Sequence, residues 1–391
     1  MNTIHITQKQ LLKFFVLNFV ATSVAFLTGR LLQISGLNAP YGILIGCIIA
    51  FMIVLINIKF AQRRPDEHFA AYGADIISRW IHYPLMMFVI LFNIWIIVVD
   101  LWKIQDFLLQ FYLLDTPPFI VIMLCGLCIA YTARFGVKSV FRAAEGLFYI
   151  SLMSFVIIPF LVQSNVEWFM IEGFVNHFNF KSAWDSGYYI GSIFGEMALI
   201  IYIYPYLSKP ERTKKTIIYV NGLISLLVVA HLIVIVLVIG PDLAANLNFP
   251  ELEMIRLIRS GSYLETLDPI IITLWLITIF IKMSFMLLIS SQILSKIFNL
   301  KHEESIIYPL ATFVGVAAIL LAKAPLQHTL FNNKLTITCF YSLECLPLLY
   351  YIIDVIRGNG KKKQTEKNTE TESEKDTDTD TDTDMETEVA Q

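Results

Sequence analysis

Long apolar runs separated by short polar or charged connections dominate the chain. A helix needs about 20 residues to cross a hydrocarbon core about 30 Å thick, because each residue advances the helix axis by about 1.5 Å. Runs of this length with few charges predict ten membrane-spanning helices, here called spans 1 to 10. They lie at about residues 10–32, 39–60, 81–106, 117–134, 140–163, 184–207, 216–240, 268–295, 305–323 and 335–356.

The apolar runs favour helices over the strands of a membrane barrel. Residues 223–239, for example, are apolar on every face, whereas barrel strands alternate polar and apolar positions over about ten residues. The composition agrees, since 56% of the residues are hydrophobic and only 16% are charged. The sequence therefore predicts an all-α polytopic membrane protein.

The distribution of Lys and Arg predicts the orientation. Of the 29 basic residues, 19 fall on the side of the N-terminus and 7 on the opposite side. Basic residues accumulate on the cytoplasmic side of membrane proteins, so we expect both termini in the cytoplasm. Residues 1–357 form the predicted membrane domain, in contact with lipid. Residues 358–391, rich in Thr, Asp and Glu, predict a disordered acidic cytoplasmic tail.

Neither enzymatic chemistry nor a prosthetic group is indicated. The basic residues lie at the ends of apolar runs rather than in a patch, which argues against nucleic-acid binding. Cys125 and Cys128 form a C-x-x-C motif inside an apolar run, without a nearby histidine, and suit helix packing better than metal binding. No nucleophile is accompanied by a base, so we expect no catalysis, no cofactor and no metal ion.

Ten spans divide into two sets of five, and because five is odd the second set runs opposite to the first. This pattern predicts a 5+5 inverted repeat, in which spans 1 and 6 are broken near the midplane and form a ligand site. Span 1 has weak points at Asn18 and at residues 21–23, and span 6 has glycines at 187, 191 and 195. The alternative interpretation of the glycines is close helix packing alone.

Charged residues inside spans are costly to bury and therefore informative. Glu196 in span 6 and Lys282 in span 8 have matching depths near the midplane, which predicts a charge pair that either couples ligand binding to movement or only holds helices together. Asp100 and Lys103 are interpreted as the edge of an outer vestibule. Glu145 and Glu344 are interpreted as packing or gating groups.

Several motifs resemble the B subunit of bacterial spore germinant receptors, a branch of the amino acid, polyamine and organocation transporter superfamily. In residues 249–284 the resemblance is carried by Phe249, Pro250, Glu251, Leu252, Glu253, Arg256, Gly261, Leu264, Glu265, Leu267, Asp268, Trp275, Phe280, Lys282 and Ser284. Supporting motifs are Phe194-Gly195-Glu196 in span 6 and Tyr204-Pro205-Tyr206-Leu207 after it.

The resemblance implies a ten-helix inverted-repeat protein of the spore inner membrane that binds a small germinant, typically an amino acid, and acts with A and C subunits. The rival function is a proton-coupled secondary amino acid transporter, and a third is a structural membrane subunit. Superfamily geometry implies a pocket in which backbone groups hold the zwitterion, Phe194 forms a lid and the charge pair serves coupling. Its expected ligand-binding residues are Ala21, Thr22, Ser23, Val24, Asn93, Ile97, Gly191, Ser192, Phe194 and Phe285, with Glu196 and Lys282 as the charge pair.

Overall fold

The computed structural model describes residues 5–256, 268–300, 302–323 and 334–357. The predicted disordered tail, residues 358–391, lies outside the described residues, as do residues 257–267 of the connection between spans 7 and 8. The α-helices are α1 Gln8–Phe26, α2 Thr28–Ser35, α3 Ala39–Ala61, α4 Phe69–Ile76, α5 Arg79–Phe111, α6 Pro118–Arg134, α7 Gly136–Leu161, α8 Ile171–Asn176, α9 Phe180–Phe194, α10 Ile200–Ile203, α11 Thr213–Ile239, α12 Pro241–Asn246, α13 Pro250–Arg256, α14 Asp268–Ile297, α15 Ile307–Ala322, α16 Lys334–Glu344 and α17 Leu346–Arg357.

Helices occupy all ten predicted spans, which confirms the all-α class. Within the described ranges, 8 helical stretches are long and apolar enough to cross a membrane, and α6 is a shorter apolar helix. The number of ten crossings and the inverted symmetry stay predictions. Large apolar side chains on the peripheral helices are exposed, such as Met123 on α6, Phe160 on α7 and Leu320 on α15, as lipid contact requires.

Spans 2 and 6 pack unusually closely, and glycines on both helices make this contact. A β-carbon on Gly42 or Gly46 of α3 would overlap side chains of α9, and one on Gly187 would lie 2.7 Å from Ile45. Small residues spaced by four allow such backbone approach between membrane helices. Close packing therefore accounts for Gly187, in agreement with the alternative interpretation of the glycine spacing.

Span 6 is interrupted just after α9. A 3-10 segment, Gly195–Leu199, joins α9 to the four-residue helix α10, and a second 3-10 turn at Tyr204–Tyr206 contains Pro205. Proline supplies no N–H group for an α-helical hydrogen bond, which favours the irregular end of the span. The interruption predicted for Gly191 to Gly195 thus begins at Gly195.

Span 1 is interrupted at Leu27, between α1 and α2, where φ is −102° and ψ is −42°. The prediction of an interruption at residues 21–23 is wrong, because α1 continues to Phe26. The hydroxyl of Thr22 donates to the carbonyl of Asn18 at 2.9 Å, so this polar side chain is satisfied within the helix. With neither Gly nor Pro at 21–23, nothing in the local sequence breaks α1.

Span 10 carries an interruption that the sequence analysis did not predict. Cys345 is a turn between α16 and α17. Pro347, two residues later, has no N–H group to donate to the carbonyl of Leu343, and its ring crowds the preceding turn. The end of α16 places the buried side chain of Glu344 against span 6.

Candidate functional site

A buried charge cluster joins spans 3, 6 and 8. The ammonium Nζ of Lys282 on α14 lies 3.3 Å from Oδ2 of Asp100 on α5 and 3.5 Å from Oε2 of Glu196 in the 3-10 segment. All three residues are 5% exposed or less. One cation thus faces two carboxylates, which leaves the cluster formally one negative charge in excess. The side chain of Asn18 on α1 lies within hydrogen-bonding reach of Glu196.

The interpretation of Asp100 as a residue of an outer vestibule is wrong. Its side chain is buried and paired with Lys282. The error came from the predicted end of span 3 at residue 106, whereas α5 continues to Phe111. Eleven residues beyond Asp100 correspond to about 16 Å of helix, which places Asp100 well inside the bundle.

A cavity of about 80 Å³ adjoins the charge cluster. It lies beside the interruptions of spans 1 and 6, and α5, α14 and α16 complete its wall. The lining residues are Thr22, Leu27, Trp95, Ile96, Val99, Asp100, Lys103, Tyr189, Ser192, Ile193, Glu196, Lys282, Thr336, Ile337 and Phe340. A cavity needs only about 10–15 Å³ by such a measure to hold one water molecule, so this one has room for a small organic ligand.

The cavity has one charged end and otherwise apolar walls. Asp100, Glu196, Lys103 and Lys282 contribute two negative and two positive charges, while Trp95 and other large side chains form the apolar surface. Binding sites for small molecules combine apolar walls with a few convergent polar groups in this way. A small zwitterion with an apolar side chain has the matching distribution of charge.

Four of the residues predicted for the site line this cavity: Thr22, Ser192, Glu196 and Lys282. The hydroxyl of Ser192 donates to the carbonyl of Tyr189 at 2.7 Å. Residues 21, 23 and 24 lie in the uninterrupted part of α1, so no helix break frees their N–H groups for a carboxylate. The polar groups at the cavity are instead side chains, and four of them are charged: Asp100, Lys103, Glu196 and Lys282.

The remaining predicted residues lie outside the lining, although their role in binding stays a prediction. Ile97 is fully buried, and Phe285 packs against Phe14 and Phe141, with ring centroids 4.5 and 6.0 Å apart. Phe194, the predicted lid, packs edge-on against Phe19 at 5.1 Å. Gly191 lies against Ile49 and Tyr341. Asn93 is buried, and neither polar atom of its side chain has a hydrogen-bond partner among the described residues.

Helix phase explains which positions of span 3 reach the cavity. Residues 96, 99, 100 and 103 follow helical spacing along one face of α5, and Ile97 lies about 100° away from Ile96 around the axis. The charged pair Asp100 and Lys103, three residues apart inside an apolar run, was the available signal for this face, although the sequence analysis placed the pair at a vestibule edge and chose Asn93 and Ile97 instead. The contribution of α16 through Thr336, Ile337 and Phe340 had no comparable signal.

Polar contacts join spans 1, 5 and 6 on the side of the N-terminus. Lys13 on α1 forms an ion pair with Glu145 on α7 at 2.9 Å, and Gln10 donates to the same carboxylate at 3.0 Å. Ile6, just before α1, donates its N–H to the carbonyl of Tyr206 at 2.7 Å. These contacts tie span 1 to spans 5 and 6, as the interpretation of Glu145 as a packing or gating group requires.

On the opposite side, α13 packs against α2 through a buried carboxyl group. Glu251 is 5% exposed, and its side chain hydrogen-bonds Thr28. Burial raises the pKa of the Glu251 carboxyl from about 4.5 to about 8, and the hydrogen bond from Thr28 offsets only part of this effect. The contact lies one residue after the interruption of span 1 at Leu27.

The helical architecture and the charged cavity define a polytopic membrane protein with a transporter-like fold. Solved structures agree. A Na⁺-coupled sialic acid symporter in a substrate-bound, outward-open state matches with a TM-score of 0.60 and 14% identity, covering 86% of this chain and 78% of the symporter. A manganese transporter of Eremococcus coleocola matches with a TM-score of 0.54 and 12% identity, covering 87% and 76%.

The chain belongs to the spore germination protein family, because the family model described as "Spore germination protein" matches residues 5–325. It is 24% identical to spore germination protein KB of Bacillus subtilis (strain 168) over 375 residues, which cover 94% of this chain and 98% of that protein. It is 22% identical to spore germination protein XB of Bacillus anthracis over 229 residues, covering 59% and 64%. The family resemblance found in the sequence is thereby confirmed.

Proposed function

We propose that the chain is the germinant-sensing membrane subunit of a spore germination receptor in the spore inner membrane. A small nutrient, an amino acid, binds in the central cavity, and its binding is signalled to A and C subunits. The observation that carries this proposal is the cavity beside the interrupted helices of spans 1 and 6, charged at one end and apolar elsewhere, in a member of the spore germination family.

The cavity favours one orientation of the ligand. An ammonium group is attracted to the carboxylates of Asp100 and Glu196, and a carboxylate to the ammonium groups of Lys103 and Lys282. The walls around Trp95 suit an apolar side chain. This orientation differs from the one expected from the sequence, in which freed backbone groups hold both ends of the zwitterion.

Signalling requires that the ligand binds one conformation of the protein better than another. The interruptions at Leu27 and at Gly195–Leu199 are the places where two halves of a span can tilt separately, and Leu27 and Glu196 line the cavity. A ligand that contacts both Leu27 and Glu196 therefore changes the relative stability of conformations in which these halves are tilted differently. Partner subunits that contact the moving halves would detect this change.

Filling the cavity tests the proposal. Ile96→Trp adds a bulky ring at a cavity-lining residue that is 5% exposed, and we expect at least a tenfold higher germinant concentration for half-maximal germination. Leu91→Trp is the matched control, because Leu91 lies on the same helix, is 54% exposed and faces lipid. An unchanged dose response of Ile96→Trp spores with normal receptor levels would refute the proposal.

The transporter-like fold favours a second candidate, a proton-coupled secondary amino acid transporter. The two functions differ in net flux. Proteoliposomes that contain the full chain, a pH gradient and labelled amino acids measure this flux directly. Concentrative uptake that collapses with the gradient would favour the transporter, and saturable binding without uptake would favour the receptor.

A further inference from the structure

Glu344 is a buried carboxyl group to which neither proposed function assigns a role. It is the last residue of α16, in the middle of span 10, and it is 1% exposed. Neither Oε1 nor Oε2 has a hydrogen-bond partner among the described residues, and no ion pair within 4.0 Å is found for it there. The buried carboxyl groups of Asp100, Glu196 and Asp354 each face a basic side chain, as Asp354 faces Arg63 at 2.6 Å.

The Glu344 carboxyl lies against the backbone of span 6 at the residue where α9 ends. A β-carbon on Gly195 would overlap this carboxyl group, so only glycine leaves space for it. The amide of Asn57 on α3 donates to the backbone carbonyl of Glu344 at 3.0 Å and holds the end of α16 in place. Asn57 thus fixes the backbone that carries Glu344, and the carboxyl end of the side chain fills the space beside Gly195.

Within the described part of the chain, the groups that face Glu344 do not offer a countercharge. Glu196, on the 3-10 segment, is itself a carboxylate and shares the ammonium group of Lys282 with Asp100. Tyr341, one turn earlier on α16, uses its hydroxyl to donate to the carbonyl of Tyr188 on α9 at 2.7 Å. Cys345 follows Glu344 in the chain, and α3 contributes the neutral Asn57.

An ionised carboxylate buried without a cation costs several kcal/mol, whereas the neutral acid loses only its hydrogen bonds with water. Close to a second carboxylate, the ionised form is disfavoured further. We propose that Glu344 is a proton-binding site: its carboxyl holds a proton while Gly195–Leu199 packs against it, and releases the proton to water when that segment moves away.

Proton binding at Glu344 and the position of the 3-10 segment are then linked reciprocally. The same segment carries Glu196, which lines the central cavity. A proton on Glu344 therefore stabilises the arrangement of span 6 that the structure describes. This linkage holds whether occupancy of the cavity leads to signalling or to uptake, so its test is separate from the test of the proposed function.

Infrared spectroscopy of the full chain in lipid nanodiscs tests the proposal. Glu251 has a pKa of about 8 and also carries a proton near pH 7, so spectra are compared in a Glu251→Gln background. We expect a carboxylic-acid C=O band that shifts in D₂O, disappears on Glu344→Gln and persists on the matched substitution Glu196→Gln. A band that is absent, or that survives Glu344→Gln, would overturn the proposal.

A second measurement needs no variant and covers the case in which Glu344→Gln does not assemble. A lipid-soluble carbodiimide modifies protonated carboxyl groups in apolar surroundings, and tandem mass spectrometry locates the modified residue in the wild-type chain. We expect modification of Glu344 and of Glu251 at pH 7, with the paired Asp354 unmodified. Modification of Glu251 without modification of Glu344 would overturn the proposal.

Discussion

The carboxyl group of Glu344 occupies the space that a side chain would need at Gly195. These two residues mark the interruptions of spans 10 and 6, because α16 ends at Glu344 and α9 ends just before Gly195. Packing between the two interruptions accounts for Gly195. Gly187 serves contact with α3, and Gly191 lies against both Tyr341 of α16 and Ile49 of α3.

Substitution of Gly195→Ala should destabilise the protein by about 1–3 kcal/mol, as overpacking of a filled interior does. The added methyl group meets the Glu344 carboxyl, a buried side-chain end that must move to admit it. The apparent melting temperature of the purified chain in detergent measures this effect. Gly126→Ala is the matched control, since a β-carbon there meets nothing within 4 Å, and we expect a change within about 1 kcal/mol. Equal melting temperatures for the two variants would contradict the described packing.

Substitution of Lys282→Met should be severe, because it leaves Asp100 and Glu196 buried without their common cation. Breaking a buried ion pair by removing one partner costs about 3–5 kcal/mol. We expect strongly reduced receptor levels in spore membranes, measured by quantitative immunoblotting, and a loss of the germinant response.

A second substitution separates charge from packing at the same position. Lys282→Met combined with Glu196→Gln removes one of the two unpaired carboxylates, so part of the lost protein level should return. If the double variant is no more abundant than Lys282→Met alone, the ion pair at 3.5 Å contributes little and the loss is steric.

The docking of α13 should depend on pH through Glu251. Burial raises the pKa of this carboxyl from about 4.5 to about 8, so ionisation is penalised only while α13 is docked. The docked state carries no penalty below about pH 4.5, loses stability as the pH rises and is weakest above about pH 8. Hydrogen exchange in residues 250–256, corrected for intrinsic rates, should therefore show less protection at pH 9 than at pH 6.

Two variants check this assignment. Glu251→Gln should make the protection of α13 independent of pH over this range, because the amide stays neutral. Glu253→Gln should keep the pH dependence of the wild type, because Glu253 has a side chain 40% exposed on the same helix. A pH dependence that survives Glu251→Gln would assign the effect to another group.

The positions of the spans and the depth of two charges could be predicted from the sequence, because both follow from apolar run length and helix rise. Similar depths below the same outer boundary were enough to expect Glu196 and Lys282 near each other. Asp100, the third member of the buried charge cluster, was missed. Charges at the end of span 3 made the predicted span shorter than α5.

The interruptions of span 1 and span 10 could not be placed in this way. Leu27 is an ordinary helix former and gives no local signal, while the helix that follows it packs against the connection after α11, where Gly29 lies against Leu247. The turn at Cys345 is explained by Pro347, a local signal that the length of an apolar run does not contain. Contacts between distant segments also decide which face of α5 lines the cavity.

Occupancy of the cavity is tested most directly by chemical protection of Ser192→Cys, in a chain whose five native cysteines are replaced. In membranes that contain the full receptor, a small methanethiosulfonate reagent modifies this cysteine, and each amino acid of a panel is tested for protection. The account predicts that the amino acid that triggers germination slows modification at least fivefold, and that inactive amino acids do not. An equal modification rate of the Ser192→Cys variant with and without the active germinant would contradict binding in this cavity.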